Sequence, residues 1–279
     1  MNIFESAAQS LAIADPVEKC RETRRWVAAW RSAGCAVPSP DQRIDPHLSD
    51  RPGRLDRPAL VAPNDVPKRK ITGGVEGRRA LLHAIAHIEL NAVNLALDVA
   101  ARYWDLGMPD DYHREWIGVA DDEAKHFLLL HERLTALGGA YGDLPAHNGL
   151  WESAIATKAD ILARLAVVPM VLEARGLDVT PMMIDKFTQV GDLQTVDALK
   201  IIYQDEIGHV AVGRRWFEHV ADLRGLDHET TWQDLVRTFF QGQVKRPFNE
   251  PARSEAGMGP DYYEPLADWY EGIDLSTHS

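Results

Sequence analysis

The chain has 279 residues, 45% of them hydrophobic, and a formal net charge of −12. This length can bury a sizeable core, and the acidic balance argues against a nucleic-acid surface spread over the whole molecule, although a local basic patch stays open. Its two cysteines, Cys20 and Cys35, lack a Cys-x-x-Cys spacing. Because no secretory signal or uninterrupted run of about 18 apolar residues is present either, the sequence predicts a reduced, cytoplasmic protein without a membrane span.

The N-terminal region is predicted to contain helices followed by a long strap. One or two helices are expected over residues 3–34, the second starting at Asp15 and Pro16, which are typical of a helix N-terminus. Residues 36–72 contain seven prolines, a density that excludes regular helix. Apolar residues such as Leu60 favour an ordered strap over a disordered segment.

Hydrophobic periodicity predicts four long helices in the middle of the chain and shorter ones around them. The bounds of these helices follow from turn residues such as Gly176, which is expected to end the third long helix, and Pro181, which is expected to start a short helix. The four long helices are predicted over residues ~76–106, ~110–138, ~150–175 and ~192–222, and the shorter ones over ~181–190 and ~228–241. An aromatic tail, expected to dock on the helices or on a second subunit, follows.

Prolines and glycines mark two places where these helices should be distorted or closely packed. Pro169 lies inside the third helix, four residues before Glu173, and removes the donor for the carbonyl of Leu165. We expect a kink or bulge that either aims Glu173 and opens a path to it or is only structural. Gly208 and Gly213 in the fourth helix allow close packing or access.

The pattern Asp-Glu-x-x-His occurs twice, at Asp122-Glu123 with His126 and at Asp205-Glu206 with His209. Residues three apart share one face of a helix, so each Glu and His point at the same place. With seventeen Glu and eleven His, fewer than one Glu-x-x-His pair is expected by chance. Two copies therefore indicate a metal site rather than two solvated helix faces.

A dinuclear carboxylate site in a four-helix bundle needs a further Glu from each of the other two helices. Glu89 precedes Glu123 by 34 residues and Glu173 precedes Glu206 by 33, both within apolar sequence. Four buried carboxylates would repel one another, and two divalent cations would neutralise them. The predicted metal ligands are Glu89, Glu123, His126, Glu173, Glu206 and His209.

Further residues are assigned around this site. Metal-bound His usually donates its other ring N–H to a carboxylate, so we expect Asp205 to pair with His126 and Asp122 to pair with His209. Tyr203, one turn before Glu206, is a candidate catalytic tyrosine, either redox-active or hydrogen-bonding. His83 and His87 do not share the face of Glu89 and are expected to pack rather than ligate.

The chain resembles the ferritin-like proteins of the uncharacterised DUF455 family. The resemblance rests on the stretches His83–Asn91, Tyr141–His147, Leu172–Pro181 and Asp205–Val210. It implies an all-α, ferritin-like four-helix bundle with the same six ligands, and it implies no substrate. With the helices above, this predicts N-terminal helices and strap over 1–75, the metal-binding bundle over 76–222, and a C-terminal helix and tail over 223–279.

The leading functional hypothesis is a di-iron, O₂- or peroxide-dependent oxidoreductase or hydroxylase that acts on a small organic substrate with an unidentified electron donor. Mixed Mn/Fe or Zn occupancy stays open, because such ligands accept several metals. A ferroxidase or iron-handling protein is the first alternative, and a metal-stabilised helical interaction module without activity is the second. A tRNA substrate is disfavoured by the acidic balance, and a homodimer is allowed.

Overall fold

The computed structural model describes three stretches of the chain: residues 2–43, 45–67 and 74–276. The predicted all-α class is confirmed for these residues, which contain no β-strand and only an isolated β-bridge between Leu60 and Ala146. The chain divides into two compact units. Unit 1 comprises Met1–Trp151 and Lys186–Ala198, and unit 2 comprises Glu152–Asp185 and Leu199–Ser279.

Unit 1 is built around four helices: α1 (Ile3–Ala12), α2 (Pro16–Ser32), α3 (Val75–Arg102) and α4 (Asp110–Ala136). Helix α2 begins as predicted, because the Asp15 side chain accepts a hydrogen bond from the backbone N–H of Glu18 at 2.8 Å. The long α3 ends at Arg102, four residues before its predicted end.

Helices α3 and α4 lie antiparallel. Arg79, near the start of α3, donates to the carbonyl of Leu137, just past the end of α4, at 2.5 Å. At the other end of the pair, the Tyr112 hydroxyl donates to the carbonyl of Val99 at 3.3 Å. This pairing sets residues in the middle of α3 beside residues in the middle of α4.

Helix α3 is the one described helix that is long and apolar enough to cross a membrane by length and composition alone. Its most apolar 18-residue window is 78% buried inside the protein. Because a membrane span presents its apolar surface to lipid, this burial is typical of a core helix.

The proline-rich segment packs on unit 1 over residues 45–67, which confirms an ordered strap there. The N–H of Gly53 donates to the carbonyl of Leu11 at 2.8 Å. A Cβ atom at Gly53 would lie 2.0 Å from the carbonyl oxygen of Ala12, so only glycine permits this approach. Further along, the N–H of Val61 donates to the carbonyl of Ala146 at 2.9 Å. Residues 68–72 of the predicted strap lie outside the described residues.

The remaining helices belong wholly or partly to unit 2: α5 (Gly149–Ala156), α6 (Ile161–Val167), α7 (Ala174–Gln189), α8 (Leu193–Leu223), α9 (His228–Phe239), α10 (Glu250–Glu255) and α11 (Pro260–Ser276). Of these, α5 and α8 begin in unit 1, and α7 ends there. Between α6 and α7 the chain makes a π-helical turn, Val168–Glu173, around Pro169, which confirms the predicted distortion.

The prediction of a continuous third helix ending at Gly176 is wrong. The helix is interrupted between α5 and α6, and α7 continues through Gly176 and Pro181, where a separate short helix was expected. Within α7 the carboxylate of Asp178 accepts from Nε of Arg253 at 2.8 Å. The interruption is stabilised by the buried Arg164, which donates to the carbonyl of Ala154 at 2.5 Å.

The aromatic tail packs on unit 2 as two further helices, α10 and α11, whose helical form was not predicted. The Tyr262 hydroxyl on α11 donates to Glu218 Oε1 on α8 at 2.8 Å. Tyr263 is fully buried. Docking on the helices of the same chain therefore accounts for the aromatic composition of this segment.

Candidate metal centre

Three buried side chains of unit 1 form a cluster that we call the first half-site: Glu89 on α3, and Glu123 and His126 on α4. They are 4%, 0% and 0% exposed, respectively. Nδ1 of His126 lies 3.2 Å from Oε2 of Glu89 and 3.5 Å from Oε2 of Glu123. The three-residue spacing on α4 aligns Glu123 with His126. The antiparallel pairing of α3 and α4 places Glu89 beside them.

Electrostatics make the first half-site costly without a cation. Burial raises the pKa of Glu89 to about 7, and the nearby charge of Glu123 raises it further, against the opposing hydrogen bond and charge of His126. Without a cation, this raised pKa favours the protonated form of Glu89. A divalent cation would take the place of that proton and balance the carboxylate charge.

The donor atoms fit a transition-metal ion. One imidazole nitrogen and several carboxylate oxygens are ligands that Fe, Mn and Zn accept. One ligand atom from each of these three residues lies within 4.8 Å of the others. A cation about 2.1 Å from each ligand needs opposite ligands about 4.2 Å apart, so small side-chain shifts would close the site on an ion.

The other three predicted ligands, Glu173, Glu206 and His209, lie in unit 2, and we call them the second half-site. These side chains are 8%, 7% and 3% exposed, so none of the predicted ligands in either unit faces solvent. Nδ1 of His209 lies 3.8 Å from Oε2 of Glu206, one turn earlier on α8.

Glu173 is the last residue of the π-helical turn, so the distortion predicted from Pro169 lies directly beside a predicted ligand. The turn packs tightly on α8. A Cβ atom at Gly213 would lie 2.2 Å from Cβ of Pro169, whereas one at Gly208 would meet nothing within 4 Å. Of the two predicted alternatives, close packing is therefore confirmed for Gly213, whereas nothing packs against Gly208.

The Asp that precedes each Glu-x-x-His pair was predicted to orient a metal-bound His. Lys125 donates to Oδ1 of Asp122 at 2.9 Å, and the Asp122 side chain is 39% exposed. The pairings of Asp122 with His209 and of Asp205 with His126 stay predictions.

Tyr203, the candidate catalytic tyrosine, lies on α8 in unit 2. Its hydroxyl accepts a hydrogen bond from the side-chain amide of Asn249 at 2.8 Å. This contact attaches α8 to the segment before α10. A redox role for Tyr203 stays a prediction.

His83 and His87 bind the connection between α4 and α5 rather than the first half-site, as expected. Nε2 of His83 accepts from the N–H of Gly142 at 3.0 Å. Nδ1 of His87 lies 2.8 Å from the hydroxyl of Tyr141. Sequence reasoning missed these partners, because only the spacing of the two His on one helix face was visible.

Comparison with known proteins shows that the chain belongs to a family of unknown function. The model of the family described as "Protein of unknown function (DUF455)" matches residues 12–264. An "Uncharacterized protein" from Haemophilus influenzae is 46% identical over 229 residues, which cover 80% of this chain and 78% of that protein. No solved structure matches.

Proposed function

We propose, from its membership of the DUF455 family and its two buried half-sites, that this chain is a dinuclear metal carboxylate protein and an O₂- or peroxide-dependent oxidoreductase. One observation carries the proposal: in each unit a Glu-x-x-His pair and a Glu from another helical segment are buried, six side chains in all. Four carboxylates are not buried without compensation, because each ion loses several kcal/mol of solvation.

In this proposal the two half-sites converge in a ferritin-like four-helix bundle. Such bundles hold two metal ions with one Glu from each of two helices and a Glu-x-x-His from each of the other two. Glu206 would then join Glu89, Glu123 and His126 around the cations. The Asp residues Asp122 and Asp205 would orient the two imidazoles.

Two Fe(II) ions, when bound, would supply two of the four electrons that reduce one O₂ while one oxygen atom enters the substrate and the other leaves as water. In a hydroxylation the substrate C–H bond would supply the other two electrons, two protons would be taken up to form the water, and an external electron donor would be needed for each further turnover. The protein contributes burial, which excludes competing water, and carboxylates that hold or release a proton, as the raised pKa of Glu89 indicates.

The surroundings of the second half-site favour an enzyme over an inert structural metal. A cavity of ≈ 200 Å³ in unit 2 has a mainly apolar lining that includes Met170, Val171 and Leu172 of the π-helical turn, together with charged side chains such as Arg175 and Arg253. Cavities of this apolar type take small organic molecules. A metal that only stabilised helices would need neither the helix distortion nor an adjacent cavity.

The test is an anaerobic titration with Fe(II) followed by exposure to O₂. We expect two metal ions per chain by elemental analysis, metal-dependent O₂ uptake and a transient optical band. Glu206→Gln should lower both metal content and O₂ uptake, whereas Glu132→Gln, an exposed residue on α4, should change neither.

Three results would contradict the proposal. Binding of zinc alone without O₂ uptake would indicate a structural metal. An assembly of many subunits that accumulates iron mineral, seen by light scattering, would indicate iron storage. Equal metal content in wild type and in Glu206→Gln would place the metal elsewhere.

A further inference from the structure

Another cavity lies in unit 1, and none of the residues of the first half-site lines it. It is formed by α2, the strap, the connection after α4 and one face of α3. The α3 residues that line it are His87, Leu90, Asn91 and Asn94, which recur at helical spacing. His87 is two residues from Glu89 and so points about 160° away from it around the helix.

The cavity contains cations without a balancing carboxylate. Lys19, Arg54 and Arg57 line it, and no Asp or Glu does. Among the described residues no carboxylate makes an ion pair with any of the three. In a chain with a net charge of −12, a cationic cavity without acidic partners is an exception to the overall balance.

Lys19 is the centre of this arrangement. It is 1% exposed, and its ammonium donates to the carbonyl of Gly53 at 3.0 Å and to Oδ1 of Asn94 at 2.5 Å. Both acceptors are neutral, and an ammonium has three N–H donors, so neither the charge nor the full donor capacity is matched. Burial, together with the charge of Arg54, lowers the pKa of Lys19 to about 8, although the neighbouring thiol of Cys20 opposes this shift.

A purely structural role accounts for only part of these observations. The bond from Lys19 to Gly53 attaches the strap to α2, but a neutral donor would do this without the cost of burying a charge. Buried charges in proteins are paired or bind an ion of opposite sign. The uncompensated ammonium beside Arg54 therefore indicates an anionic ligand.

We propose that this cavity binds the oxyanion head of a small anionic metabolite, a carboxylate or a phosphate group, held by Lys19 and Arg54. The cavity volume is ≈ 40 Å³, room for about three water molecules, so only the head group enters. Leu55 and Leu60 of the strap also line the cavity and would contact an apolar remainder of the ligand. The site is independent of the metal centre, and binding does not require a metal.

The experiment titrates inorganic phosphate and, separately, acetate into the full chain at constant ionic strength with chloride as the replaced anion. Binding is followed by NMR at the backbone amide of Gly53 and the side-chain amide of Asn94, in metal-free and metal-loaded protein. We expect saturable shifts in both forms. A stronger response to phosphate identifies a phosphate ester as the ligand class, and a stronger response to acetate identifies a carboxylic acid.

Matched variants test the assignment to this cavity. Lys19→Met should weaken binding about tenfold or more, whereas Arg21→Met, which removes an exposed cation from the same helix, should leave it within about twofold. Arg54→Gln should also weaken binding, and because Arg54 is exposed this variant serves if Lys19→Met does not fold. The proposal is overturned if the chemical-shift changes reach saturation with neither anion below about 10 mM. It is also overturned if Arg21→Met weakens binding as much as the cavity variants do.

Discussion

The two half-sites use the same residue types but differ in their backbone and burial. In the first, all ligand-type residues lie on regular α-helices, and Glu123 and His126 are completely buried. In the second, Glu173 ends a π-helical turn and is 8% exposed. The comparison teaches that one sequence pattern can be built on regular helix or beside a helix distortion, with every ligand-type residue buried in both cases. We call the first half-site the closed half-site, because Glu123 and His126 are fully buried there.

The largest expected effect comes from removing a charge in the closed half-site. Glu123→Gln should abolish metal-dependent stabilisation, which is about 4 kcal/mol for wild type at a metal concentration a thousand times Kd. The metal-free variant should nevertheless be more stable than metal-free wild type, since one of two repelling buried carboxylates is gone. Denaturant unfolding with and without metal measures both effects.

The control for that prediction is Glu132→Gln, an exposed position on the same helix, which should change neither quantity. If metal-free Glu123→Gln is instead less stable than metal-free wild type, the carboxylate has a structural hydrogen-bonding role. The closed half-site would then not be organised for a cation.

A smaller effect is expected from pH in the metal-free protein. The folded-state pKa of Glu89 is about 7, above its ordinary value of 4.5, so the folded state binds more protons between these values. Stability is then complete below about pH 4.5 and is lost as pH rises through 7, by up to about 3 kcal/mol. Unfolding free energies measured from pH 5 to 8 test this slope.

Glu89→Gln should flatten this pH dependence, because the amide does not titrate. Bound metal should flatten it as well, since the cation replaces the proton on wild-type Glu89. A slope that persists unchanged in Glu89→Gln would assign the titration to another group.

The smallest effect distinguishes two glycines beside the second half-site. Gly213→Ala would force a Cβ atom into the ring of Pro169, and overpacking of this kind costs about 1–3 kcal/mol. Gly208→Ala meets open space on the same helix and should stabilise the protein by about 0.5–1 kcal/mol. Thermal unfolding of both variants is the measurement. Equal effects of the two substitutions would show that the π-helical turn does not depend on close contact with α8.

Helix starts and stops were predictable only where local chemistry dominates. Asp15 and Pro16 begin α2 as expected, because capping is satisfied within the first turn. Gly176 and Pro181 were expected to separate two helices, but α7 passes through both. Asp178, which lies between them, forms an ion pair with Arg253, 75 residues along the chain, and a contact of this range cannot be seen in local sequence.

The sequence by itself determined the alignment of Glu123 with His126 and of Glu206 with His209, because the helical repeat depends only on neighbours in the chain. It also determined the distortion at Pro169, since proline lacks the N–H that a regular helix requires. Only the tertiary structure decided that Glu89 lies 3.2 Å from His126 and that Lys19 is buried without a carboxylate. Burial and charge environment depend on residues far apart along the chain, and folding alone brings them together.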